Sequence, residues 1–271
     1  MERFLQAFDE LLRASRSALA FTGAGVSEES GIPTFRGSGG LWEEYPPAIY
    51  GNLPGLAMVF LLRRRRLAGF AAGVVSALAE AEPNPCHRAL AALEKEGLLL
   101  GVVTQNIDGL HTLAGSGRVL ELHGSAYRLR CLRCRATYGV AREILEEVVE
   151  RLRRPRATRR DLLGALRRYA PPCAACGGRT RPDVVFFGES LPPGVLDEAL
   201  ELASRCDLLL ALGTSSLVYP AAMVPRAALD AGARLVEINP HPTVLTPSAE
   251  LRIPLPAGEF FASYLEHAGR E

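Results

Sequence analysis

Four short runs of apolar residues divide the chain, and each run ends in glycine or in small polar residues. The runs are "SALAFTGAG" at 17–25, "LLLGVVTQN" at 98–106, "DLLLALGTS" at 207–215 and "RLVEIN" at 234–239. Continuous apolar runs of this length, bounded by turn-forming residues, predict strands that are buried on both faces. Helical patterns separate them, as at 85–96 and 220–231. Strands that alternate with helices predict an α/β fold with a parallel sheet between two layers of helices.

The carboxyl ends of the four predicted strands carry polar residues. In open parallel sheets, ligands bind outside these ends, at the point where the strand order reverses. The side chains there include Gln105 and Asn106, although the whole chain has only two glutamines and four asparagines. We therefore expect a ligand site at this edge of the sheet.

The N-terminal segment has the pattern of an amphipathic helix. Apolar residues recur at helical spacing between charged ones, at Phe4, Leu5, Phe8, Leu11 and Leu12. This pattern differs from the single apolar core of a signal peptide, and no stretch elsewhere approaches the roughly 18 apolar residues of a membrane span. We therefore expect a cytoplasmic protein without a membrane partner. Its six cysteines are then expected to be thiols or metal ligands before they are considered as disulfides.

Two segments interrupt the alternation of strands and helices. Residues 43–82 contain a proline-rich loop, the run "FLLRRRR" and an alanine-rich helical stretch, and we expect a loop and helical insertion there. Residues 127–182 are rich in cysteine, arginine and glutamate, with one or two helices expected between 140 and 169. We interpret this second segment as a small inserted domain. The sheet domain then comprises residues 1–42, 83–126 and 183–271.

The composition is that of a soluble globular protein. Apolar residues make up 48% of the 271 residues and charged residues 23%, and the formal net charge is +1. A charge so close to zero provides no general attraction to nucleic acids or to anionic membranes. The inserted segment is rich in arginine, but it has almost none of the aromatic residues that stack on single strands. We therefore expect no specific nucleic-acid partner.

A glycine-rich turn follows the first predicted strand, in "AFTGAGVSEESGIPTFRG" at 20–37. Gly23 and Gly25 would allow backbone N–H groups to approach a phosphate closely at the start of a helix. A plain strand–helix turn explains these glycines equally well, because Glu28 occupies the third glycine position of the dinucleotide fingerprint. Phe35 and Arg36 place an aromatic ring beside a cation further along, which suits a planar, charged ligand.

Four cysteines form two Cys-x-x-Cys pairs, "CLRC" at 131–134 and "CAAC" at 173–176, with 38 residues between them. Each pair can present two thiolates to one tetrahedral ion, so that four sulfurs close the coordination shell of a structural Zn²⁺. Disulfides or a redox pair are the alternative. The predicted metal ligands are Cys131, Cys134, Cys173 and Cys176. Cys86 and Cys206 stand alone in apolar surroundings and are predicted to be buried thiols.

His123 lies in "LELHGSAY", between a predicted apolar strand and the cysteine-rich segment. A lone histidine in a sequence is more often structural than catalytic. Two features favour a catalytic role here. The residue lies at the seam between two predicted domains, where small-molecule clefts form, and a base with a pKa near neutrality suits the removal of a proton from a hydroxyl. The remaining histidines are interpreted as surface or capping residues: His87, His111, His241 and His267.

A set of stretches in a fixed order together resembles the sirtuins, the NAD-dependent protein deacylases. They are "GAGVSEESGIPTFRG", "GLW" at 40–42, "TQNIDGLH", "LHG", the two cysteine pairs, "RPDVVFFGE" at 181–189, "GTSSLVYPAA" at 213–222 and "EIN" at 237–239. The resemblance covers nearly the whole chain. It implies a Rossmann-like domain with a small zinc-binding module, NAD as a co-substrate and one structural Zn²⁺.

The resemblance also implies which residues bind NAD. Gly23, Ala24 and Gly25 would hold the pyrophosphate, and Phe35 and Arg36 would lie close to the nicotinamide ribose. The ribose and nicotinamide pocket would comprise Gln105, Asn106, Ile107 and Asp108. The phosphate and adenosine side would comprise Gly213, Thr214, Ser215, Asn239 and Ala257. Uncharged amides suit such a pocket because they both donate and accept hydrogen bonds.

The same resemblance implies a protein-lysine deacylase with His123 and Asn106 as catalytic residues and deacetylation as the default activity. The acyl-lysine oxygen attacks C1′ of the nicotinamide ribose, nicotinamide leaves, and His123 deprotonates a ribose hydroxyl that attacks the acyl carbon. Water then releases the lysine amine, so that the products are nicotinamide, free lysine and O-acyl-ADP-ribose. An acylated-lysine peptide would pair by its backbone between two strands. The contacting residues would be Val185, Phe187, Gly188, Glu189, Leu217 and Val218.

The chain departs from the family pattern in the segment that binds the acyl group. "PTFRG" resembles the branch that includes the desuccinylases, and that branch usually carries Tyr-x-x-Arg. The nearest match here is Phe60 with Arg63, and the missing hydroxyl weakens the case for desuccinylation. Two alternatives to deacylation stay open. One is mono-ADP-ribosyl transfer or NAD hydrolysis in the same pocket, and the other is an NAD-sensing module that binds DNA or protein.

Overall fold

The computed structural model describes residues 1–34, 41–153 and 158–269. They belong to two compact units. The first unit comprises Met1–Ser30, Glu82–Leu122 and Leu191–Glu271, and the second comprises Gly31–Ala81 and His123–Ser190. The helical segment and the cysteine-rich segment are thus parts of one unit.

Strands and helices alternate through the first unit. The strands of the chain are β1 (Ala18–Thr22), β2 (Leu99–Thr104), β3 (Val119–Glu121), β4 (Gly124–Cys131), β5 (Thr137–Gly139), β6 (Thr180–Val184), β7 (Leu208–Leu212), β8 (Arg234–Ile238) and β9 (Leu251–Ile253). The α-helices are α1 (Glu2–Ala14), α2 (Leu41–Glu44), α3 (Pro47–Tyr50), α4 (Leu53–Leu62), α5 (Arg64–Glu80), α6 (Pro85–Lys95), α7 (Leu110–Leu113), α8 (Arg142–Leu152), α9 (Arg159–Tyr169), α10 (Val195–Arg205), α11 (Met223–Asp230) and α12 (Ala257–His267). Short 3₁₀ turns lie at Ala24–Val26, Glu28–Ser30 and Thr246–Ser248.

The first unit is built on a six-stranded parallel sheet in the order β3–β2–β1–β7–β8–β9. The four strands predicted from the apolar runs form the middle of this sheet, so the predicted parallel α/β fold is confirmed. The chain moves outward from β1 to β3 and then returns to β7, on the other side of β1. In a Rossmann-like sheet, this reversal places the ligand crevice at the carboxyl ends of β1 and β7.

Helices cover both faces of the sheet, which explains why its central strands are apolar along their whole length. Successive residues of β1 point to opposite faces. Ala20 packs in a cluster with α1, α6 and α12, whereas Phe21 packs in a cluster with α10 and α11. On the first face, aromatic rings contact one another edge to face, at Phe8, Phe260, Phe261 and Tyr264. Among the described residues, every helix falls short of the length and apolarity that a membrane span needs.

The second unit contains a three-stranded antiparallel sheet in the order β5–β4–β6. The helices expected between 140 and 169 are present as α8 and α9. Helix α8 packs on α5 and α9 packs on α8, and the three share one cluster of small and aliphatic side chains. Helix α9 begins at a capping box between Thr158 and Asp161. The Arg142 side chain donates to the carbonyls of Ala79 and Ala81 at the end of α5. These contacts connect the helical segment to the cysteine-rich segment within this unit.

Candidate active site

The turn after β1 packs against the turn after β7 through three glycines. A Cβ atom on Gly23 would lie 2.8 Å from the Thr214 Cβ, and one on Gly25 would lie 2.9 Å from the Gly213 Cα. The N–H of Gly23 donates to the Leu212 carbonyl at 3.1 Å, and that of Gly25 donates to the Gly213 carbonyl at 2.9 Å. The backbone N–H groups of Gly23 and Gly25, which were expected to approach a phosphate, are therefore hydrogen-bonded to carbonyls of the protein. The absent side chains allow the two turns to approach each other.

The adjacent amides at the end of β2 connect the ends of three strands. Gln105 donates from Nε2 to Thr214 Oγ1 at 2.8 Å, and its backbone N–H donates to the Thr22 carbonyl at 3.0 Å. Asn106 donates from Nδ2 to the Gly23 carbonyl at 3.1 Å. The Asn106 side chain needs such partners because the residue is only 6% exposed. The two amides therefore hold the carboxyl ends of β1, β2 and β7 in one arrangement.

Ser27 is the centre of a buried hydrogen-bond network that the sequence analysis did not identify. Its hydroxyl donates to Asp108 Oδ2 at 2.7 Å and accepts from Asn106 Nδ2 at 3.0 Å. Asp108 also accepts from the Leu110 N–H at 3.0 Å. Burial raises the pKa of the Asp108 carboxyl, although these hydrogen bonds oppose the shift. A small hydroxyl residue two positions after the glycine turn was the available signal for Ser27.

Two of the remaining histidines are buried beside this network. His87 is 0% exposed and takes part in the capping box that begins α6, so its interpretation as a capping residue is confirmed. His111 is 2% exposed and lies within α7, with its Nε2 3.0 Å from Thr22 Oγ1. The interpretation of His111 as a surface or capping residue is therefore wrong. Burial lowers the pKa of both imidazoles, that of His87 to about 4, which makes both rings neutral at pH 7.

The turns after β7 and β8 contribute Thr214 and Asn239. Thr214 Oγ1 accepts from the Ser216 N–H at 3.1 Å, in addition to the bond from β2 described above. Asn239 donates from Nδ2 to the Thr214 carbonyl at 3.2 Å. Ser215 is exposed next to these buried groups. The hydroxyl of Ser215 is therefore available to a ligand at the end of β7.

Helix α12 contributes Ala257, which is its first residue and is buried. The next residue, Gly258, donates its N–H to Glu29 Oε2 at 2.6 Å. This carboxylate lies at the N-terminus of α12, where the helix dipole favours a negative charge. The expected NAD-binding residues of the first unit thus lie around the carboxyl ends of β1, β2, β7 and β8 and the start of α12. Phe35 and Arg36, which were also expected there, lie outside the described residues.

His123 immediately precedes β4. Its backbone is held by Val185, the first residue after β6, and by the close packing of Gly124, which follows His123. Its carbonyl accepts from the Val185 N–H at 2.9 Å. Gly124 has a left-handed backbone with φ +74°, and a Cβ at this position would lie 1.8 Å from the Asp183 carbonyl oxygen. Glycine is therefore required directly after His123. These contacts explain the "LHG" motif as a means of fixing the backbone at the histidine.

An ion pair joins the segment after β6 to the strand itself. Arg181 donates from Nη1 and Nη2 to the two carboxylate oxygens of Glu189, at 2.5 and 2.9 Å. The same carboxylate accepts from the Phe186 N–H at 3.0 Å. Hydrogen bonding with Arg181 lowers the pKa of Glu189. The loop "VVFFGE" is therefore held in shape by the ion pair between its Glu189 and Arg181 of β6.

The residues expected to bind the peptide lie in both units and outside regular strands. Val185, Phe187, Gly188 and Glu189 follow the end of β6 in the second unit, and Leu217 and Val218 follow β7 in the first unit. Phe187 is exposed, and its N–H donates to the Gly51 carbonyl at 2.8 Å. Leu217 is also exposed. The sequence analysis expected two strands here, whereas the structure shows loops.

The four cysteines of the two Cys-x-x-Cys pairs converge at one point of the second unit. Their sulfur atoms all lie within 4.8 Å of one another, and the pairs Cys131–Cys176 and Cys134–Cys173 are each separated by 3.6 Å. Zn–S bonds of about 2.3 Å in a tetrahedron give S···S distances of roughly 3.8 Å. The donor set therefore fits one closed four-sulfur Zn²⁺ site, with no position left for a water molecule.

Backbone N–H groups around the sulfurs support the same interpretation. Arg133 and Cys134 point their N–H groups at Cys131 Sγ, at 3.4 and 3.5 Å, and Gly178 points its N–H at Cys176 Sγ at 3.4 Å. A Cβ on Gly178 would lie 3.1 Å from the Cys176 sulfur. Such donors stabilise thiolates, which are the form that binds a metal ion. Cys86 and Cys206 are buried away from this cluster, as predicted.

Comparison with known proteins finds relatives along nearly the whole chain. A family model described as the Sir2 family matches residues 23–220. The NAD-dependent protein deacylase 2 of Pyrobaculum aerophilum is 43% identical over 267 residues, which cover 96% of this chain and 94% of the relative.

Two solved structures share both sequence and fold with this chain. A Sir2 complex with a p53 peptide and NAD⁺ is 35% identical, has a TM-score of 0.76, and is matched over 98% of this chain and 99% of that chain. A Sir2 variant with a deacetylated p53 peptide and 3′-O-acetyl-ADP-ribose is 35% identical, has a TM-score of 0.77, and is matched over 98% of each chain. The family match and these similarities confirm the resemblance to the sirtuins: the chain belongs to the Sir2 family.

Proposed function

We propose that this chain is an NAD-dependent protein-lysine deacylase that transfers the acyl group to ADP-ribose. The arrangement at the carboxyl ends of the parallel strands carries the proposal, because Gln105, Asn106 and Asp108 meet the glycine turn there. Dinucleotides bind at this edge of such sheets. The relatives add support, since one is named a deacylase and two Sir2 structures hold p53 peptides with NAD⁺ or with 3′-O-acetyl-ADP-ribose.

NAD would lie across the ends of β1, β2, β7 and β8. The turn of Gly23, Ala24 and Gly25 borders the pyrophosphate, with Phe35 and Arg36 beside the nicotinamide ribose. Gln105, Asn106, Ile107 and Asp108 form the ribose and nicotinamide pocket, and Gly213, Thr214, Ser215, Asn239 and Ala257 form the adenosine side. Because the N–H groups of both turn glycines are bonded to the end of β7, hydroxyl groups such as that of Ser215 become the available phosphate donors.

Asn106 is proposed as a catalytic residue in the pocket. Its Nδ2 donates to the Gly23 carbonyl and to the Ser27 hydroxyl. An amide nitrogen carries two hydrogens, so these bonds use both and fix the orientation of the side chain. The Oδ1 atom then serves as a fixed acceptor for a ribose hydroxyl or a water molecule. A group held in advance does not need to be ordered when the substrate binds.

His123 is proposed as the general base. A neutral imidazole removes the proton from a ribose hydroxyl, whose oxygen then attacks the acyl carbon. The backbone around the imidazole is fixed by the Val185 N–H and by the close approach of Gly124 to Asp183. A base must stay within hydrogen-bond reach of the proton that it removes, so a rigid backbone at this position favours the reaction.

The acylated protein would pair by its backbone with the loops that carry Val185, Phe187, Gly188 and Glu189, and Leu217 and Val218. The Glu189 side chain is held by Arg181, so this residue would contribute its backbone. One structural Zn²⁺ at the four cysteines would stabilise the small domain of residues 127–182. Residues 43–82 would form the helical insertion, and residues 1–42, 83–126 and 183–271 would form the sheet domain. A cytoplasmic location fits the six cysteines, all of which are free thiols here.

Product analysis tests the proposal. The purified chain is incubated with NAD and a panel of acetyl-, succinyl- and longer-acyl lysine peptides, and the products are identified by mass spectrometry. We expect nicotinamide, free lysine and O-acyl-ADP-ribose from the acetyl peptide. The variant His123→Ala should abolish product formation while NAD still binds, and His241→Ala, which changes an exposed histidine, should behave as the wild type.

Other product patterns would contradict the proposal. ADP-ribosylated protein or free ADP-ribose without O-acyl-ADP-ribose would identify an ADP-ribosyltransferase or an NAD hydrolase. Near-normal formation of O-acyl-ADP-ribose from the acetyl peptide by His123→Ala would refute the assignment of the base.

A further inference from the structure

Helix α4 presents a solvent-exposed face that consists entirely of apolar residues. This apolar face comprises Leu53, Pro54, Ala57, Met58, Leu61 and Leu62. The positions follow the spacing of one side of a helix. Leu61 and Leu62 at its end are 71% and 76% exposed. Such a face is unusual, because the exposed side of a surface helix is normally polar.

The opposite side of α4 holds the helix in place. Gly55 and Val59 are buried there. A Cβ on Gly55 would lie 2.1 Å from the Ile49 carbonyl oxygen, so this glycine allows close backbone packing. Asn52 caps the helix by accepting from the Gly55 N–H at 2.8 Å. The apolar face is therefore directed outward by a helix that is anchored on its other side.

Exposed arginines follow directly after this face. Arg63, Arg64, Arg65 and Arg66 are all exposed, and within the described parts of the chain none of them forms an ion pair. The Arg66 side chain donates to the Glu44 carbonyl at 3.0 Å and keeps its positive charge. Arg159, from helix α9, lies with its guanidinium carbon 5.9 Å from the centre of the Phe60 ring. We call these five arginines, at 63–66 and 159, the arginine rim. The apolar face and its cationic rim are thus brought together by two separate parts of the second unit.

We propose that this chain binds the surface of anionic lipid bilayers through the apolar face and the arginine rim. Apolar side chains enter the boundary between headgroups and acyl chains, and adjacent cations are attracted to anionic lipids. Each arginine near an anionic surface increases partitioning by about fivefold. The face is one side of a single exposed helix, and a deformable lipid surface accepts its side chains without a complementary groove. This combination favours a bilayer over an acidic protein.

A surface-bound helix does not need to span the membrane. The sequence-based expectation of no membrane partner rested on the absence of a spanning segment and on a net charge of +1. A local group of arginines attracts anionic lipids even where the net charge of the chain is small. Helix α4 has ten residues and is about 15 Å long, about half the thickness of a hydrocarbon core of about 30 Å. The helix therefore suits the interface. Because the apolar face and Arg64, Arg65, Arg66 and Arg159 lie outside the proposed catalytic residues, the inference does not depend on the proposed deacylase activity.

Co-sedimentation with vesicles tests the proposal. The probes are vesicles of phosphatidylcholine alone and vesicles that also contain phosphatidylglycerol. We expect binding to the anionic vesicles that falls with increasing salt, and at least tenfold weaker binding to the neutral ones. The double variants Leu61→Ser/Leu62→Ser and Arg64→Gln/Arg65→Gln should each lose at least tenfold in partitioning.

Matched controls change exposed residues elsewhere. Leu113→Ser/Leu166→Ser removes two exposed leucines, and Arg205→Gln/Arg226→Gln removes two exposed arginines. Both should bind the anionic vesicles as the wild type does. Circular dichroism and turnover of a soluble acetyl peptide should be unchanged in every variant, which separates loss of lipid binding from misfolding.

Three outcomes would overturn the proposal. The first is an absence of binding to anionic vesicles. The second is equal loss of binding in the test and control variants. The third is a change of sedimentation coefficient in Leu61→Ser/Leu62→Ser without lipid, which would make the apolar face a contact between copies of the chain.

Discussion

Acidification should destabilise this protein through the buried imidazole of His87. His87 lies inside the first unit, with its Nε2 3.5 Å from Ser27 Oγ and its Nδ1 3.3 Å from the Asn84 nitrogen. The ring of His111 lies 4.7 Å away, between centroids. Burial lowers the pKa of His87 from 6.5 to about 4, and the nearby Arg88 adds to the shift. The native state therefore excludes a proton that the unfolded chain binds.

The magnitude follows from these two pKa values. Because the native pKa lies below the unfolded one, the stabilisation is complete above pH 6.5 and is lost as the pH falls from there toward the native value of about 4. Between about pH 7 and pH 5 the linkage amounts to about 2 kcal/mol for His87 alone. The pKa of His111 is also lowered by burial, so this residue acts in the same direction.

Urea unfolding over this pH range measures the effect. The wild type should lose about 2 kcal/mol or more, and His87→Gln should lose clearly less over the same range, even if the variant is less stable at every pH. His241→Gln, which changes an exposed histidine, should follow the wild type. Nuclear magnetic resonance of the ring protons gives the pKa directly. The reasoning is refuted if the His87 ring titrates near its ordinary value, or if His87→Gln and the wild type lose stability in parallel.

Two further perturbations test the packing of the glycine turn and the metal site. Gly25→Ala would press a methyl group against Gly213, so we expect a loss of about 1–3 kcal/mol in unfolding free energy. Gly73→Ala, in open space on α5, should gain up to about 1 kcal/mol, and equal behaviour of the two variants in urea would contradict this packing. One zinc ion should co-purify per chain by atomic emission. Cys173→Ser or a strong chelator should release it and unfold the second unit, whereas Cys206→Ser should retain it; a metal-free wild type of full stability would exclude the site.

The central strands and most helices follow from the sequence because each has a local pattern. Strands covered on both faces must be apolar throughout, and β1, β2, β7 and β8 are. Helix α6 occupies almost the predicted range because Asn84 and Pro85 mark its start. The cysteine spacing predicted four converging sulfurs for a similar reason, since each pair is a local unit and only the meeting of the two pairs depends on the fold.

Elements with little local signal were not predicted. Strand β9 has only three residues, too few for a clear pattern, and it exists because it pairs with β8. The loops at Phe187 and Leu217 were expected as strands because the resemblance to the sirtuins implied two strands there that pair with a peptide. Neither position lies in a strand of the described structure.

The sequence by itself determined the parallel sheet, the polar ends of its strands and the two cysteine pairs, because these features depend on neighbours along the chain. The tertiary structure alone decided what each polar group contacts. It placed Ser27 at the centre of a buried network, buried His111 beside Thr22, and gave the N–H groups of the turn glycines to the end of β7. Such partners come from strands that are distant in sequence and adjacent only in the folded sheet. Their positions are set by packing, which no local pattern records.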